Sequence, residues 1–219
     1  VALAGSAVTL MNLEPLSAGN HNGGAMHFGP GGRLFVAVGD NANGENAQSI
    51  GTRLGKILRL NPEPGNPIPA NNPAHIDGIP GTPTGVNRAI WCAGLRNPYT
   101  FAFKPGTNLM FINDVGQGTW EEVNVGKAGA NFGWNDTEGP FNQAFFPNYT
   151  RPIIYYHHGN ASQSFPPNAG FTGQAITGGA FYVTENPTFP NGYLGDYFFA
   201  DHINGWIRRY DTVARTVRT

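Results

Sequence analysis

The sequence predicts an all-β protein, and three observations lead there. Gly (31 residues) and Pro (18 residues) interrupt almost every stretch of the roughly ten residues that an amphipathic helix needs. Short runs rich in β-branched and aromatic residues recur between those breaks. Long loops dense in Gly, Pro and Asn separate the runs, as at residues 61–83, and loops of that length commonly carry function.

The runs come in order at residues 33–38 (RLFVAV), 56–60 (KILRL), 108–112 (NLMFI), 153–157 (IIYYH), 180–183 (AFYV), 197–200 (YFFA) and 205–210 (GWIRRY). Each is short, as strands usually are, and each is bounded by turn-forming residues. Three of them close on an aspartate: Asp40 after LFVAVG, Asp114 after LMFIN and Asp201 after YFFA. The recurrence, at separations of 74 and 87 residues, is longer than the common propeller repeats. It fits blades with large inserted loops, and leaves a sandwich or an irregular barrel open.

A 40% hydrophobic content over 219 residues is enough for a substantial core. Only 12% of residues are charged, the net charge is −1, and the basic residues are scattered. Nucleic acid and anionic membrane surfaces are therefore poor partners. The apolar opening, residues 1–11, is broken by Gly5 and Ser6 and falls short of a membrane span. Cys92, the sole cysteine, sits between Trp91 and Ala93 and reads as a buried structural thiol. Asn135, Asn148 and Asn160 head glycosylation sequons, which such an Asn-rich chain also produces by chance.

Four groups of words then point to one family. They are HNGGAMHFGPGGRLFVAVGDN (21–41); GKILRLNPEPGNPIPANNP (55–73) with WCAGLRNPYTFAFKP (91–105); INDVGQGTWEEVNVGKAGANFGWNDTEG (112–139); and GGAFYVTENPTFPNGYLGDYFFADHINGWIRRY (178–210). In order and spacing the chain resembles the glucose/sorbosone dehydrogenase family, most strongly over residues 20–210. The resemblance implies that residues 1–219 are part of a single domain. That domain is a six-bladed β-propeller, represented here by an incomplete propeller of about three to four blades with long loops. The remaining blades are then missing from this chain.

The resemblance also implies an activity: oxidation of an aldose C1 hydroxyl to the lactone, dependent on pyrroloquinoline quinone (PQQ) and calcium. An external electron acceptor and a secreted or periplasmic location come with it. Such chemistry needs a base for the hydroxyl proton, and His21 matches the family's base position. Asp40 matches the aspartate that orients the imidazole, although Gly39-Asp40-Asn41 would equally make a turn. Arg96 in GLRNP matches the positive charge beside the quinone, and Asn97 adds an amide; a brace between blades is the other use for that arginine. The DVG region maps calcium-holding carbonyls to Gly116 and Gln117. Glu122 matches a second calcium position, with Glu121 read as its solvated neighbour. His27, between Met26 and Phe28, reads as a core residue.

Two positions depart from the family. Tyr99 follows Arg96-Asn97-Pro98 where enzymatic members carry a cofactor-contacting Gln, and His202 stands in place of a Lys. His202 is then the candidate basic contact to the cofactor, only partly charged at neutral pH. A noncatalytic extracellular binding or adhesion module that keeps the propeller fold is the alternative reading.

Overall fold

The computed structural model describes residues 3–167 and 170–219; Val1 and Ala2, where the apolar opening begins, lie outside the described residues. Twelve strands form three four-stranded antiparallel sheets, each a meander in which consecutive strands pair. The first sheet contains β1 (Met26–Phe28), β2 (Leu34–Val38), β3 (Lys56–Leu60) and β4 (Ile90–Ala93). The second contains β5 (Pro98–Phe103), β6 (Met110–Asp114), β7 (Trp120–Gly126) and β8 (Ile154–His157). The third contains β9 (Ile176–Phe181), β10 (Tyr197–Asp201), β11 (Trp206–Asp211) and β12 (Thr216–Arg218). Short 3₁₀ turns are the only helical segments among the described residues, and none is long and apolar enough to cross a membrane.

The sheets pack face to face, β2 against β5 and β5 and β6 against β9, which is consistent with a β-propeller fragment. Alternation along β2 and β6 explains how one strand serves two cores. Phe35 and Ala37 join Phe101, Met110 and Ile112 between the first two sheets. Leu34 and Val36 turn to the opposite layer with Leu58, Ile76 and Ile90. Phe111, between Met110 and Ile112, faces the other way into Val123, Tyr156, Tyr197 and Phe199, between the second and third sheets. Each of these large buried side chains contributes about 2 kcal/mol through area removed from water. Cys92 is buried in the first core, and burial pushes its thiol far above the ordinary range.

Two expectations are corrected. His27 is exposed, because β1 is an edge strand and all three of its residues are exposed; its ring meets Phe101 in a T-shaped contact with centroids 4.8 Å apart. Glu121 is fully buried. Its carboxylate accepts from two residues distant in sequence, Nε2 of His158 at 2.8 Å on one oxygen and Ile176 N–H at 3.0 Å on the other, and from the nearby Gly116 N–H at 3.3 Å. That bonding joins the second sheet to the third.

The three aspartates occupy one structural position. Each ends, or closely follows, the second strand of its sheet and bonds the segment leading into that sheet's first strand. Asp114 accepts from Arg96 and Asn97 just before β5, and Asp201 accepts from Gln174 and Ala175 just before β9. Asp40 instead receives a side chain, the imidazole of His21, ahead of β1.

Candidate active site

His21 stands in the left-handed region, at φ 52°, which costs a non-glycine residue on the order of 1 kcal/mol and has to be held by its surroundings. Its carbonyl accepts from Asn41 N–H at 3.2 Å. Gly39 passes so close that a β-carbon there would lie 2.1 Å from that carbonyl oxygen, so the backbone approach requires glycine. The ring's Nδ1 lies 2.7 Å from Asp40 Oδ1, with the His21 side chain 12% exposed and that of Asp40 2%. Asp40 Oδ1 also accepts from Ala42 N–H at 2.8 Å, and Oδ2 accepts from the Trp134 indole at 2.8 Å.

Arg96 lies next to this pair. Asp40 N–H donates to the Arg96 carbonyl at 2.8 Å, and the Arg96 guanidinium rides over the Trp134 ring at 5.6 Å. Its Nη1 donates to the carbonyls of Val115 and Gly116, at 3.1 and 2.6 Å. Among the described residues, Arg96 Nε and Asn97 Oδ1 are buried without a hydrogen-bond partner. Asn97 lines a cavity of about 240 Å³ together with Tyr99, Val115, Ile176, Thr177 and His202. The structure thus links His21, Asp40 and Arg96 through contiguous contacts and gathers Asn97, Tyr99 and His202 around one cavity.

The loop between β6 and β7 is drawn tight. Glu138 Oε1 accepts four consecutive backbone N–H groups, from Gln117, Gly118, Thr119 and Trp120, at 2.8 to 3.2 Å. Burial raises the Glu138 pKa, but these donors outweigh it and hold the carboxyl below its usual range. Gly116 meets the Trp120 carbonyl so closely that no side chain fits there. Glu122 is engaged elsewhere: it accepts from Gly139 N–H at 2.5 Å and Asn124 Nδ2 at 3.1 Å. Burial, with Asp114 nearby, pushes it up to about 8. Among the described residues no three His, Cys, Asp or Glu side chains gather around one point. Backbone carbonyls are the donors this region offers a hard cation.

Trp134, Asp114 and Glu138 are the residues that sequence reasoning left without a role. Trp134 lay in the NFGW word and Asp114 in the repeated strand-end aspartates; Glu138 gave no signal beyond its place in a matching segment.

A family model described as Glucose / Sorbosone dehydrogenase matches residues 2–199. The chain belongs to the glucose/sorbosone dehydrogenase family. Among its relatives in this family, aldose sugar dehydrogenase YliI of Escherichia coli is 35% identical over 122 residues, covering 56% of this chain and 31% of that protein. HIPL1 protein of Arabidopsis thaliana is 32% identical over 212 residues, covering 83% and 28%. The chain therefore spans about a third or less of these relatives. The crystal structure of the soluble aldose sugar dehydrogenase (Asd) from Escherichia coli in the apo-form superposes with a TM-score of 0.73 at 27% identity, over 96% of this chain and 57% of that one. The PQQ-bound aldose sugar dehydrogenase of Streptomyces coelicolor, at 24% identity and a TM-score of 0.62, shares the fold over 90% of this chain and 47% of its own.

Proposed function

We propose that the protein to which this chain belongs is a PQQ- and calcium-dependent dehydrogenase that oxidises the C1 hydroxyl of an aldose to the lactone. The observation that carries the reading is the His21–Asp40 pair, built beside Arg96. Asp40 accepts from Nδ1, so that nitrogen carries the proton and Nε2 is left as the base for a sugar hydroxyl. Asp40, buried and fixed by three donors, steadies the imidazolium once the proton has moved.

The residues fit a quinone carrying acidic oxygens. Asn97 and His202 line the cavity and offer an amide and an imidazole to such oxygens; Arg96, next to Asn97 in the chain, is not among the lining residues. When bound, PQQ would supply the hydride acceptor and calcium would polarise it; the carbonyls of Gly116 and Gln117 would hold the calcium, that of Gly116 only by giving up its bond to Arg96 Nη1. Arg96 would hold negative charge on that ligand, and His202 and Asn97 would orient it. Glu122 would hold a second, structural cation only by giving up its bonds to Gly139 and Asn124. A six-bladed whole, an external electron acceptor and a secreted or periplasmic location belong to the same reading.

A noncatalytic extracellular binding or adhesion module is the second reading. It is favoured by Tyr99 and His202, which line the cavity where the family carries Gln and Lys. The deciding experiment is reconstitution of the complete protein: aldose-dependent reduction of an artificial acceptor that needs both PQQ and calcium. No turnover at saturating PQQ, with the fold intact and calcium bound, would leave the binding module as the better account.

A further inference from the structure

We infer that Trp134 is a positioning residue that fixes the plane of the Asp40 carboxylate against the base and sets that pair beside Arg96; the inference rests on the reading of His21 as base. The three equivalent aspartates isolate what is special here. Asp114 accepts from the backbone N–H groups of Arg96 and Asn97, and Asp201 from four backbone N–H groups and the Tyr156 hydroxyl. Asp40 is bound by two ring donors, the imidazole on Oδ1 and the indole on Oδ2.

An aspartate's terminal torsion is soft, so donors on one oxygen alone let the carboxylate plane rock about that oxygen, and a donor on the other oxygen fixes it. The His21 and Ala42 donors both use Oδ1. Trp134 Nε1 is the donor on Oδ2. Without it the carboxylate is held at one oxygen only, its plane can rock, and the imidazole loses its fixed direction.

The indole is itself anchored. Trp134 N–H donates to the Gly94 carbonyl at 3.0 Å, and its own carbonyl accepts from Gln48 Nε2 at 2.5 Å. Gln48 is locked in turn by reciprocal bonds with Asn131, at 3.0 and 2.8 Å. One rigid ring therefore touches both the anchor of the base and, through its face, the Arg96 guanidinium. A base and an anion stabiliser must act on one reacting centre, so their separation has to be set by something stiff.

Trp134→Phe removes the N–H and keeps an aromatic face under Arg96. In the complete protein with PQQ and calcium it lowers kcat about 10- to 100-fold, the worth of a hydrogen bond to a charged group, while the KM for sugar stays near its original value. In an Asp40→Asn background the same substitution costs less than about threefold more, because the two act through one contact. In the quinone-free protein labelled with ¹⁵N-indole, the signal absent from Trp134→Phe identifies Trp134, and it moves upfield in Asp40→Asn. The hydrogen-bonded Nδ1–H signal of His21 broadens or vanishes in Trp134→Phe. Multiplicative rate losses, or a His21 signal unchanged in Trp134→Phe, overturn the inference. If the unaltered protein has no quinone-dependent turnover, the functional reading fails, and the two resonance measurements still decide whether Trp134 orients Asp40 and His21.

Discussion

The carboxylate of Asp114 receives Arg96 N–H on one oxygen, at 2.9 Å, and Asn97 N–H on the other, at 2.7 Å. It holds Arg96 and the cavity-lining Asn97 by their backbone N–H groups. Asp114→Asn should be as damaging as Asp114→Ala, because the amide group would turn an N–H₂ toward a backbone donor. Both variants should lose about 3 kcal/mol in urea denaturation, since buried donors are left unpaired. Retention of stability by Asp114→Asn would show that the clamp needs only shape.

Glu138 makes a different kind of clamp, one oxygen gathering the four N–H groups from Gln117 to Trp120. Glu138→Ala should free the loop whose carbonyls are proposed for calcium. Calcium affinity, measured by calorimetry on the complete protein, should fall about 10- to 100-fold, as for other residues that orient ligands from behind. Glu138→Gln keeps the acceptor and should lose less. Equal affinity in all three proteins would remove Glu138 from the account.

Lys56 is fully buried beneath the first sheet's loops, its Nζ donating to the carbonyls of Asn46, Ala47 and Leu54 at 2.7, 3.0 and 2.7 Å. Burial pushes it down to about 7 from 10.5. Between those values the unfolded chain binds the proton that the folded chain does not, so stability rises with pH across that window. Below about 7 both states are protonated and the cost of burying the charge is constant. The stability difference between the unaltered protein and Lys56→Met should therefore grow in favour of lysine by about 1 kcal/mol per pH unit between pH 7 and 10. A difference independent of pH would mean that the three carbonyls keep the ammonium charged throughout.

Much of the fold was legible because apolar residues announce themselves locally. Each of the seven apolar runs overlaps an observed strand, and the β3 run, Lys56–Leu60, matches it end to end. The Trp120–Gly126 strand was hidden by its polar composition: Glu121 read as solvated and Glu122 as a cation ligand, yet Glu121, Glu122 and Asn124 are all buried. Their partners, among them Gly139, His158 and Ile176, come from elsewhere in the chain, which no local pattern reveals. The third sheet's first strand starts earlier than its apolar run because Gly178 and Gly179, both at positive φ, interrupt the alternation beside a bulge in its pairing with β10.

The candidate site divides along the same line. His21 and Asp40 are 19 residues apart, in words that carry the family resemblance, and the structure brings them into contact. Trp134 reaches Asp40 across 94 residues, through an indole N–H whose target depends on how two loops meet. Asn97 and His202 were read as neighbours of one ligand, and they line one cavity.

The proposed role of His21 as the base of a quinone-dependent sugar oxidation can be checked by mixing the calcium-loaded PQQ complex of the complete protein with excess aldose, without oxygen or acceptor, and following the quinone absorbance. The unaltered protein should lose that absorbance in a single fast phase. His21→Ala, binding PQQ equally well by titration, should lose it about 10² to 10⁴ times more slowly, as expected when a positioned general base is removed. Equal rates in the two proteins, or failure of the folded, calcium-bound protein to bind PQQ at all, would contradict the account.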